Sequence, residues 1–559
     1  MICSRLNLHL AVGLIAMLSG QSTFAAGSQS LSLIVDGKAD EQLVDAPGWN
    51  QKEGWIEGTG ADNYLLARVA LGLGDFRIDA KLRMIGQRRS AAHFLLGDGC
   101  FGFEGSHGNI FLSRSLFGGL KTLMPSKEVF ALEEWIDFTV ERKDGRIRFL
   151  INQREVHVFQ CNQAFFPVGF CGIRATMQIS QFSMTGSLQR REIPEPPDEI
   201  VDVYRRGMGG YHGFRIPSAL TTEKGTILAF AEGRPQSLAD AGGNDLVLRR
   251  SSDGGRTWSE MRVIAEDGPH SLNTPCAVQV RETGRIILFY HRYPADTNER
   301  KVEPGVEGER ICRAMMITSD DNGLTWSKPR DLTRQVKRPT VVTSFSTGPG
   351  IGIQLRRGPH KGRIVMLTNQ QGPRHEWNLF AIYSDDGGES WAYGELAPNP
   401  SKGWGNEVQA VELIDGRVML NARVQGGNKC RKVATSSDGG ETWTPLREDP
   451  VLIEPVCQGS ILRLSDPLDG RRSRILFSNP ASQTGRRNGT VRLSYDEGKT
   501  WAVSRVICPG PFAYSSLTVL SDGTIGCLFE ADQYQKIRFA RFTLDWLTGG
   551  ADAWEHCSE

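Results

Sequence analysis

Polar and apolar residues alternate with a two-residue period through much of the first third of the chain. In Phe76-Arg77-Ile78-Asp79-Ala80-Lys81-Leu82 and in Trp135-Ile136-Asp137-Phe138-Thr139-Val140-Glu141-Arg142 alternate side chains are apolar, as expected of strands with one face on a core. Lys143-Asp144-Gly145-Arg146 separates the second strand from Ile147-Arg148-Phe149-Leu150-Ile151 and predicts a hairpin turn. Residues 28–189 are therefore expected to form a β-sandwich. After residue 200 the apolar runs become short, as in Thr226-Ile227-Leu228-Ala229-Phe230-Ala231 and Arg285-Ile286-Ile287-Leu288-Phe289-Tyr290, and a new pattern punctuates them.

That pattern is Ser-x-Asp-x-Gly-x-x-Trp, and it occurs five times, at 251–258, 319–326, 384–391, 436–443 and 494–501. The Asp caps backbone N–H groups, the Gly tolerates positive φ, and the Trp buries a large ring beneath the turn. Each copy reads as a hairpin turn of a repeated sheet. Recurrence at a little more than the usual blade length predicts radial repetition, a β-propeller over 201–548. Between the two domains, Arg191-Glu192-Ile193-Pro194-Glu195-Pro196-Pro197-Asp198-Glu199 cannot continue a central strand and is expected to be a linker at 190–200. The polar tail at 549–559 is expected to close nothing.

The run Trp135, Phe138, Val140, Arg142, Gly145 resembles laminin-G and concanavalin-like jelly rolls. Such folds serve as glycan binders or as spacers, and fold alone does not choose between them. At the N-terminus, Arg5, an apolar run over 8–18 and the small residues Ala25-Ala26-Gly27 describe a secretory signal peptide at 1–26, so a secreted or periplasmic protein is expected. The apolar run is interrupted by His9 and too short to span a membrane, and no later run is long enough.

Charge narrows the partners. The 65 basic and 64 acidic residues give a net charge of +1, leaving no bulk electrostatic attraction for nucleic acid or an anionic membrane, so any anion site must be local. Eleven cysteines in 559 residues do not make a disulfide scaffold, although Cys161 and Cys171 could pair, and no His/Cys spacing suits zinc. Gly348-Pro349-Gly350-Ile351-Gly352-Ile353 lacks the strand-to-helix setting of a phosphate loop. The basic run at 356–363 reads as a solvated hairpin rather than a nucleic-acid site.

Ahead of the first turn repeat stands Tyr211-His212-Gly213-Phe214-Arg215-Ile216-Pro217. Proline restrains its own φ and biases the residue before it toward extended backbone, which would fix Arg215 to grip an anion. A lone arginine is more often a surface or salt-bridged residue; the repeat that follows changes that balance. Together, the Phe-Arg-Ile-Pro element and the five turns resemble the bacterial exo-α-sialidases (neuraminidases) of glycoside hydrolase family 33. The resemblance covers essentially all of 201–548 and implies an all-β chain: a six-bladed β-propeller with Asp-box repeats behind an N-terminal β-sandwich (jelly-roll).

What the resemblance implies about the site can be carried over residue by residue. Arg215, Arg423 and Arg486 match three arginines that hold a carboxylate, a role suited to a guanidinium because it stays charged and bonds bidentately. Arg487 and Arg492 compete with Arg486. Glu530 matches the carboxylate that orients the first arginine, and Arg234 a further arginine lining the site. Tyr514, in Pro511-Phe512-Ala513-Tyr514-Ser515-Ser516-Leu517, matches the nucleophile, and Glu407 the base that takes its proton. A neutral phenol avoids the repulsion that an attacking carboxylate would meet beside the substrate's own carboxylate. Asp240 matches the acid/base on a loop expected to close over substrate, with Asp245 the alternative.

The reading is an exo-α-sialidase acting on sialoglycoconjugates (glycoproteins, gangliosides and sialyl-oligosaccharides), with no metal, no organic cofactor, no nucleic-acid partner and a monomeric chain. Two rivals remain: a non-catalytic Asp-box propeller that binds glycans, and a trans-sialidase, intermolecular or intramolecular, on the same scaffold.

Overall fold

The computed structural model of the chain describes residues 28–554 apart from residues 47, 60–63, 86–90, 98, 105–107, 114, 118–120, 132, 173–175, 191–196, 198, 340, 373 and 484. The expected signal segment lies outside the described residues, as does most of the expected linker. The chain divides into two compact units, Met1–Glu192 and Ile193–Glu559.

The first unit is a sandwich. A nine-stranded sheet runs Arg154–Gln160, Arg146–Ile151, Ile136–Lys143, Val69–Ile85, Thr176–Arg190, Gln29–Val35, Lys38–Ala39, with Ile56–Thr59 and Asn50–Gln51 added beside Thr176–Arg190. A seven-stranded sheet faces it, and phenylalanines from both fill the space between. Phe101 stacks on Phe149 at 4.7 Å and Phe94 meets Phe138 edge-on at 5.1 Å. The predicted hairpin is present, with Lys143 opposite Arg146. Asp144 (φ 50) and Gly145 (φ 77) both take left-handed backbone, which matches the twist of the flanking strands.

The second unit is a ring of six blades, each built on four antiparallel strands, with the first strand of blade 3 in two pieces and Gly350–Ile351 added in parallel beside the first strand of blade 2. Blade 1 is Gly213–Thr221, Ile227–Arg234, Asp245–Ser251, Arg262–Ala265; blade 2 is Ser271–Gln279, Ile286–Tyr293, Arg313–Ser319, Arg330–Asp331. Blade 3 opens with Phe345–Thr347 and Ile353–Gln354 and continues through Ile364–Gln371, Trp377–Ser384 and Ala392–Tyr393. Blade 4 is Trp404–Glu412, Val418–Gln425, Cys430–Ser436, Arg447–Ile453. Blades 5 and 6 share the 17-residue strand Val503–Val519, whose first half pairs with Arg487–Ser494 and whose second half pairs with Ile525–Ala531. Ser460–Ser465 and Arg474–Pro480 complete blade 5. Blade 6 is finished by Lys536–Phe542 and by Glu199–Arg205 from the other end of the unit. The first strands of neighbouring blades lie against one another around the axis.

All five Asp boxes follow the third strand of a blade, at one end of the ring. In blade 2, Ser319 Oγ donates to Asp321 Oδ1 at 2.8 Å and accepts the Gly323 N–H at 2.8 Å, while Asp321 also takes the Thr325 N–H at 2.8 Å. The box thereby aims its Trp at the preceding blade. Trp258 meets Phe539, Trp326 meets Phe230 and Trp391 meets Phe289 at centroid distances of 5.4, 5.7 and 4.6 Å. Trp443 joins Val365 and Ala381, and Trp501 joins Val411 and Met419. Five seams of the ring are plugged in this way.

The seam between blades 5 and 6 has no box, and there the tail corrects the expectation that it closes nothing. Asp552 accepts from Arg474 Nε and Nη2 at 2.8 and 2.6 Å and from the Tyr495 hydroxyl at 2.7 Å, all in blade 5. Trp554 Nε1 donates to the Gly523 carbonyl of blade 6 at 2.8 Å, and its ring joins the core of those two blades. The tail does at this seam what a box Trp does at the others.

The basic run at 356–363 is a second correction: it is tied down rather than solvated. Arg356 binds Asp469 through both terminal nitrogens at 2.7 and 2.6 Å, Arg357 pairs with Asp466 and Glu412, and Arg363 pairs with Asp385 and Glu441. Asp385 lies on another turn of the same blade, but Glu412 and Glu441 belong to blade 4 and Asp466 and Asp469 to blade 5, so the run is an inter-blade clamp. Among the described residues no helix is long and apolar enough to cross a membrane.

Asp552 takes bonds from two nitrogens of Arg474, which is 2% exposed, and from the Tyr495 hydroxyl, so its removal breaks a buried ion pair. Asp552→Ala is expected to lower unfolding stability by about 3 kcal/mol, read from urea denaturation. A loss within error of zero would mean that the tail does not hold the seam.

Candidate active site

First strands start, and second strands end, at the side of the ring opposite the Asp boxes. Four of the six first strands carry a β-bulge near that end, between Arg215 and Ser218, Asn273 and Cys276, Gly405 and Val408, and Phe512 and Ser515. A bulge interrupts the alternation of the strand and re-aims a side chain. Arg215, Glu407 and Tyr514 stand in or beside three of the four.

At the first bulge the backbone differs from expectation. Ile216 is not extended before Pro217 but lies at φ 57, an outlier for a β-branched residue. The reason is visible in what its N–H does: it donates to Glu530 Oε1 at 2.9 Å. Arg215 Nε donates to the same oxygen at 2.6 Å and Nη2 to Oε2 at 3.3 Å, while the Tyr514 N–H reaches Oε2 at 3.2 Å. Glu530, with its side chain 0% exposed, thus ties Arg215 to the Tyr514 backbone across 315 residues of sequence. Burial alone would lower the Arg215 pKa, but the Glu530 carboxylate outweighs it and raises the pKa.

Tyr514 is 5% exposed. Its hydroxyl donates to Glu407 Oε1 and accepts from Arg423 Nη1 at 2.9 Å, and the same Nη1 donates to Glu407 Oε2 at 2.7 Å. The three groups form a closed triangle. Arg215 and Arg486 lie over the Tyr514 ring at 5.2 and 5.3 Å. Burial first, and then the Glu407 charge, push the phenol well above its ordinary range against the lowering pull of Arg423 and Arg486. The phenol is therefore neutral at rest and has a proton acceptor in contact. Of the competing arginines, Arg486 is the one against Tyr514; Arg492 is directed instead to Asn479 Oδ1 at 2.9 Å.

Arg234 sits lower than a residue lining an open pocket. It is 0% exposed, with Nε on Glu232 Oε2 at 2.9 Å, Nη1 on the Leu238 carbonyl and Nη2 on Asp240 Oδ1 at 2.8 Å. Asp240 itself has a side chain 75% exposed. Although the side chain is open to solvent, the protein crowded around it partly desolvates the carboxyl and would raise it, but the charges of Arg234 and then Arg215 prevail and hold it below the ordinary carboxylate range. The loop that bears it is pinned: Asn273 Nδ2 donates to the Asp240 carbonyl at 2.7 Å, and the N–H groups of Gly242 and Gly243 reach Ser271 Oγ at 2.9 and 3.1 Å. Asp245 points elsewhere and accepts the Tyr211 hydroxyl at 2.7 Å.

Several groups at the site escaped the sequence reading. Glu232, 1% exposed, supports Arg234 from below and takes the Thr274 N–H at 2.7 Å. Its signal was available, since residues two apart on a strand share a face. Arg431 and Glu454 form a fully buried pair at 2.8 Å; Glu454 accepts the Val424 N–H beside Arg423, and Arg431 holds the Cys457 carbonyl. Tyr534 touches two of the arginines and carried no sequence signal. No cluster of metal-ligating side chains occurs among the described residues.

Residues 225–527, more than half of the chain, match the BNR repeat-like domain family. A sialidase of Micromonospora viridifaciens is 39% identical over 365 residues, covering 64% of this chain and 55% of that protein. An exo-alpha-sialidase of Arthroderma benhamiae is 30% identical over 378 residues, covering 61% of this chain and 86% of that one. The chain belongs to the sialidase family. It spans just over half the length of the Micromonospora relative. Among solved structures, the leech intramolecular trans-sialidase complexed with 2,7-anhydro-Neu5Ac matches with a TM-score of 0.57 at 19% identity, over 86% of this chain and 95% of that one, a likeness of fold.

Glu530 accepts four hydrogen bonds in a site closed to water, so its charge cannot be removed cheaply. Glu530→Gln turns an amide donor toward Arg215 and is expected to lower stability by about 3 kcal/mol in chemical denaturation. An unchanged unfolding midpoint would show that the pair does not hold blades 1 and 6 in register.

Proposed function

We propose that the chain is an exo-α-sialidase. It hydrolyses terminal α-ketosidic sialic acids from glycoproteins, gangliosides and sialyl-oligosaccharides with retention of configuration. The observation that carries this reading is the Tyr514 hydroxyl, shared between Glu407 and Arg423 with two further guanidiniums against its ring. A glycan-binding module has no use for a buried phenol joined to a base. A sialic acid glycoside, whose carboxylate stands on the reacting carbon, calls for both a cationic clamp and an uncharged nucleophile.

In the first step Arg215, Arg423 and Arg486 hold the carboxylate. Glu407 accepts the Tyr514 proton, the phenolic oxygen bonds to the anomeric carbon, the bond from that carbon to the leaving oxygen breaks, and Asp240 protonates that oxygen. In the second step water attacks the same carbon, Asp240 takes a water proton, the carbon–tyrosine bond breaks, and Glu407 returns its proton to the phenolate. The two steps balance with water as the one added reactant. Arg234 acts through Asp240 rather than on the sugar, because all of its mapped contacts point to Glu232, Leu238 and Asp240.

The decisive measurement is release of a fluorescent aglycone from an α-sialoside, with the first-formed sugar followed by NMR. The α anomer is expected first. Asp240→Ala is expected to lower kcat by roughly 10²–10⁴-fold, and Tyr514→Phe to abolish retention. No release by the unmodified protein from synthetic or natural sialosides would leave the binding-module reading in its place.

The charge around Asp240 makes a second expectation. In the free protein its carboxyl is held low by Arg234 and Arg215, so an acid role in kcat/KM fades as pH rises through that lowered value. A bound substrate carboxylate offsets the Arg215 charge and adds a like charge, which raises Asp240. The alkaline limb of kcat is therefore expected at higher pH than that of kcat/KM. Coincident limbs, or the reverse order, would remove Asp240 from the acid role.

A further inference from the structure

Arg486 differs from the other two arginines of the proposed clamp in what holds it. Arg215 lies 2.6 Å from Glu530 and Arg423 2.7 Å from Glu407, whereas Arg486 has no carboxylate at ion-pair distance among the described residues. Its Nη1 donates to the Tyr534 hydroxyl at 3.1 Å and its Nη2 to the Val456 carbonyl at 3.2 Å. Both acceptors are neutral. A guanidinium bound to a carboxylate offers little net charge to an incoming anion, but one fixed by neutral acceptors keeps its charge for the ligand.

Both acceptors also come from strained backbone. Val456 lies at φ 64, and Tyr534 at φ 67 ends a run in which Asp532 (φ 50) and Gln533 (φ 54) are left-handed too. Left-handed backbone is unfavourable for each residue with a Cβ, so three in succession persist only where their surroundings impose them. Here the surroundings are on view. The run follows directly on the strand that ends with Glu530 and Ala531, and the Asp532 carboxylate is held by Arg538 at 2.9 Å and Lys536 at 3.4 Å. The same two cations grip Asp202 of the ring-closing strand at 2.8 and 3.3 Å. The result places the Tyr534 ring over Arg215 at 4.3 Å while its hydroxyl meets Arg486.

We propose that Tyr534 is a positioning residue: its ring fixes Arg215 and its hydroxyl fixes Arg486 without neutralising it, so that Arg486 meets the substrate carboxylate with its charge uncompensated. The proposal rests on the reading of the three arginines as a carboxylate clamp. It requires that Tyr534 act through Arg486 on binding and leave the chemistry at Tyr514 untouched.

Tyr534→Phe keeps the ring and removes the acceptor. Its KM for the fluorescent α-sialoside is expected to rise about tenfold with kcat within about twofold and an unchanged Tm, since a contact made equally in ground and transition states moves KM alone. In an Arg486→Ala background the same substitution is expected to change KM by less than about twofold, because the partner it acts through is gone. A tenfold rise in both backgrounds, or no rise in the single variant of an active protein, overturns the proposal. Thermal-shift binding of free N-acetylneuraminic acid separates this from the catalytic reading. Weaker binding by Tyr534→Phe than by a turnover-inactive unmodified protein keeps the clamp and removes the enzyme, and no binding by the unmodified protein removes both.

Discussion

One pairing conditions everything at the site: the antiparallel ladder between Glu199–Arg205 and Lys536–Phe542, which closes the ring. It joins chain segments 342 residues apart, as between Glu199 and Arg541, and closing a loop of that length costs about 5 kcal/mol in chain entropy. Val203 and Tyr204 on the closing strand are 0% exposed, and burying two such side chains returns a comparable amount at roughly 2–3 kcal/mol each. The Tyr204 hydroxyl also reaches the Ala229 carbonyl of blade 1 at 2.6 Å, so closure fixes the first blade against the last. Arg215 and Glu530 belong to those two blades. Their bond exists only in a closed ring, and this ion pair is therefore a product of global topology rather than of either blade.

The arrangement of charge follows from the same closure. Glu530, Glu407 and Glu232 each neutralise one arginine and hold it in a fixed direction, and blades 1, 4 and 6 deliver these pairs to one rim. Fixed, desolvated dipoles and charges at a rim act without reorganising when a ligand arrives. The neutral phenol of Tyr514 stands among these charges without adding a negative one, which is what the proposed attack beside a substrate carboxylate requires. Its raised pKa would be a handicap for a free phenol but is matched by a base already in hydrogen-bond contact.

What could be read in advance was what is local. An Asp box carries its Ser, Asp, Gly and Trp within eight residues, so its turn chemistry is complete in the sequence, and five copies announced a ring before any coordinates. The alternation at 76–82 and 135–142 is equally local, and both segments are strands. The site residues became legible only through resemblance to a family, because Arg215, Glu407 and Tyr514 acquire a common direction from three separate bulges that no two-residue period encodes. Where the reading failed, the deciding partner was distant. Proline predicts extended backbone at Ile216, and a carboxylate 314 residues away overrides it. The tail looked idle because Asp552 finds Arg474 78 residues upstream. The basic run at 356–363 looked solvated because Arg356 finds Asp469 113 residues on.

The two ends of the ring divide stability from function, and the backbone records it. On the box end, positive φ falls mainly on residues that accept it easily, such as Gly254, Gly255, Asn322, Gly323 and Gly387, and the boxes there plug five seams with tryptophan. On the site end it falls on glycines too, such as Gly242, Gly243 and Gly403, but also on Ile216, Thr274 and Val456, all β-branched, and on the run Asp532, Gln533, Tyr534. Each such residue with a Cβ disfavours the fold by about 1 kcal/mol or more. Hydrogen bonding links the four at the site: Ile216 gives its N–H to Glu530, Thr274 gives its N–H to Glu232, and Val456 and Tyr534 accept from Arg486. Every one of these strained positions that touches a site group does so by aiming a polar atom at an arginine or at the carboxylate that holds one. The strain is concentrated where directed charge is needed, and a ring sealed from the far end is what allows the chain to carry it.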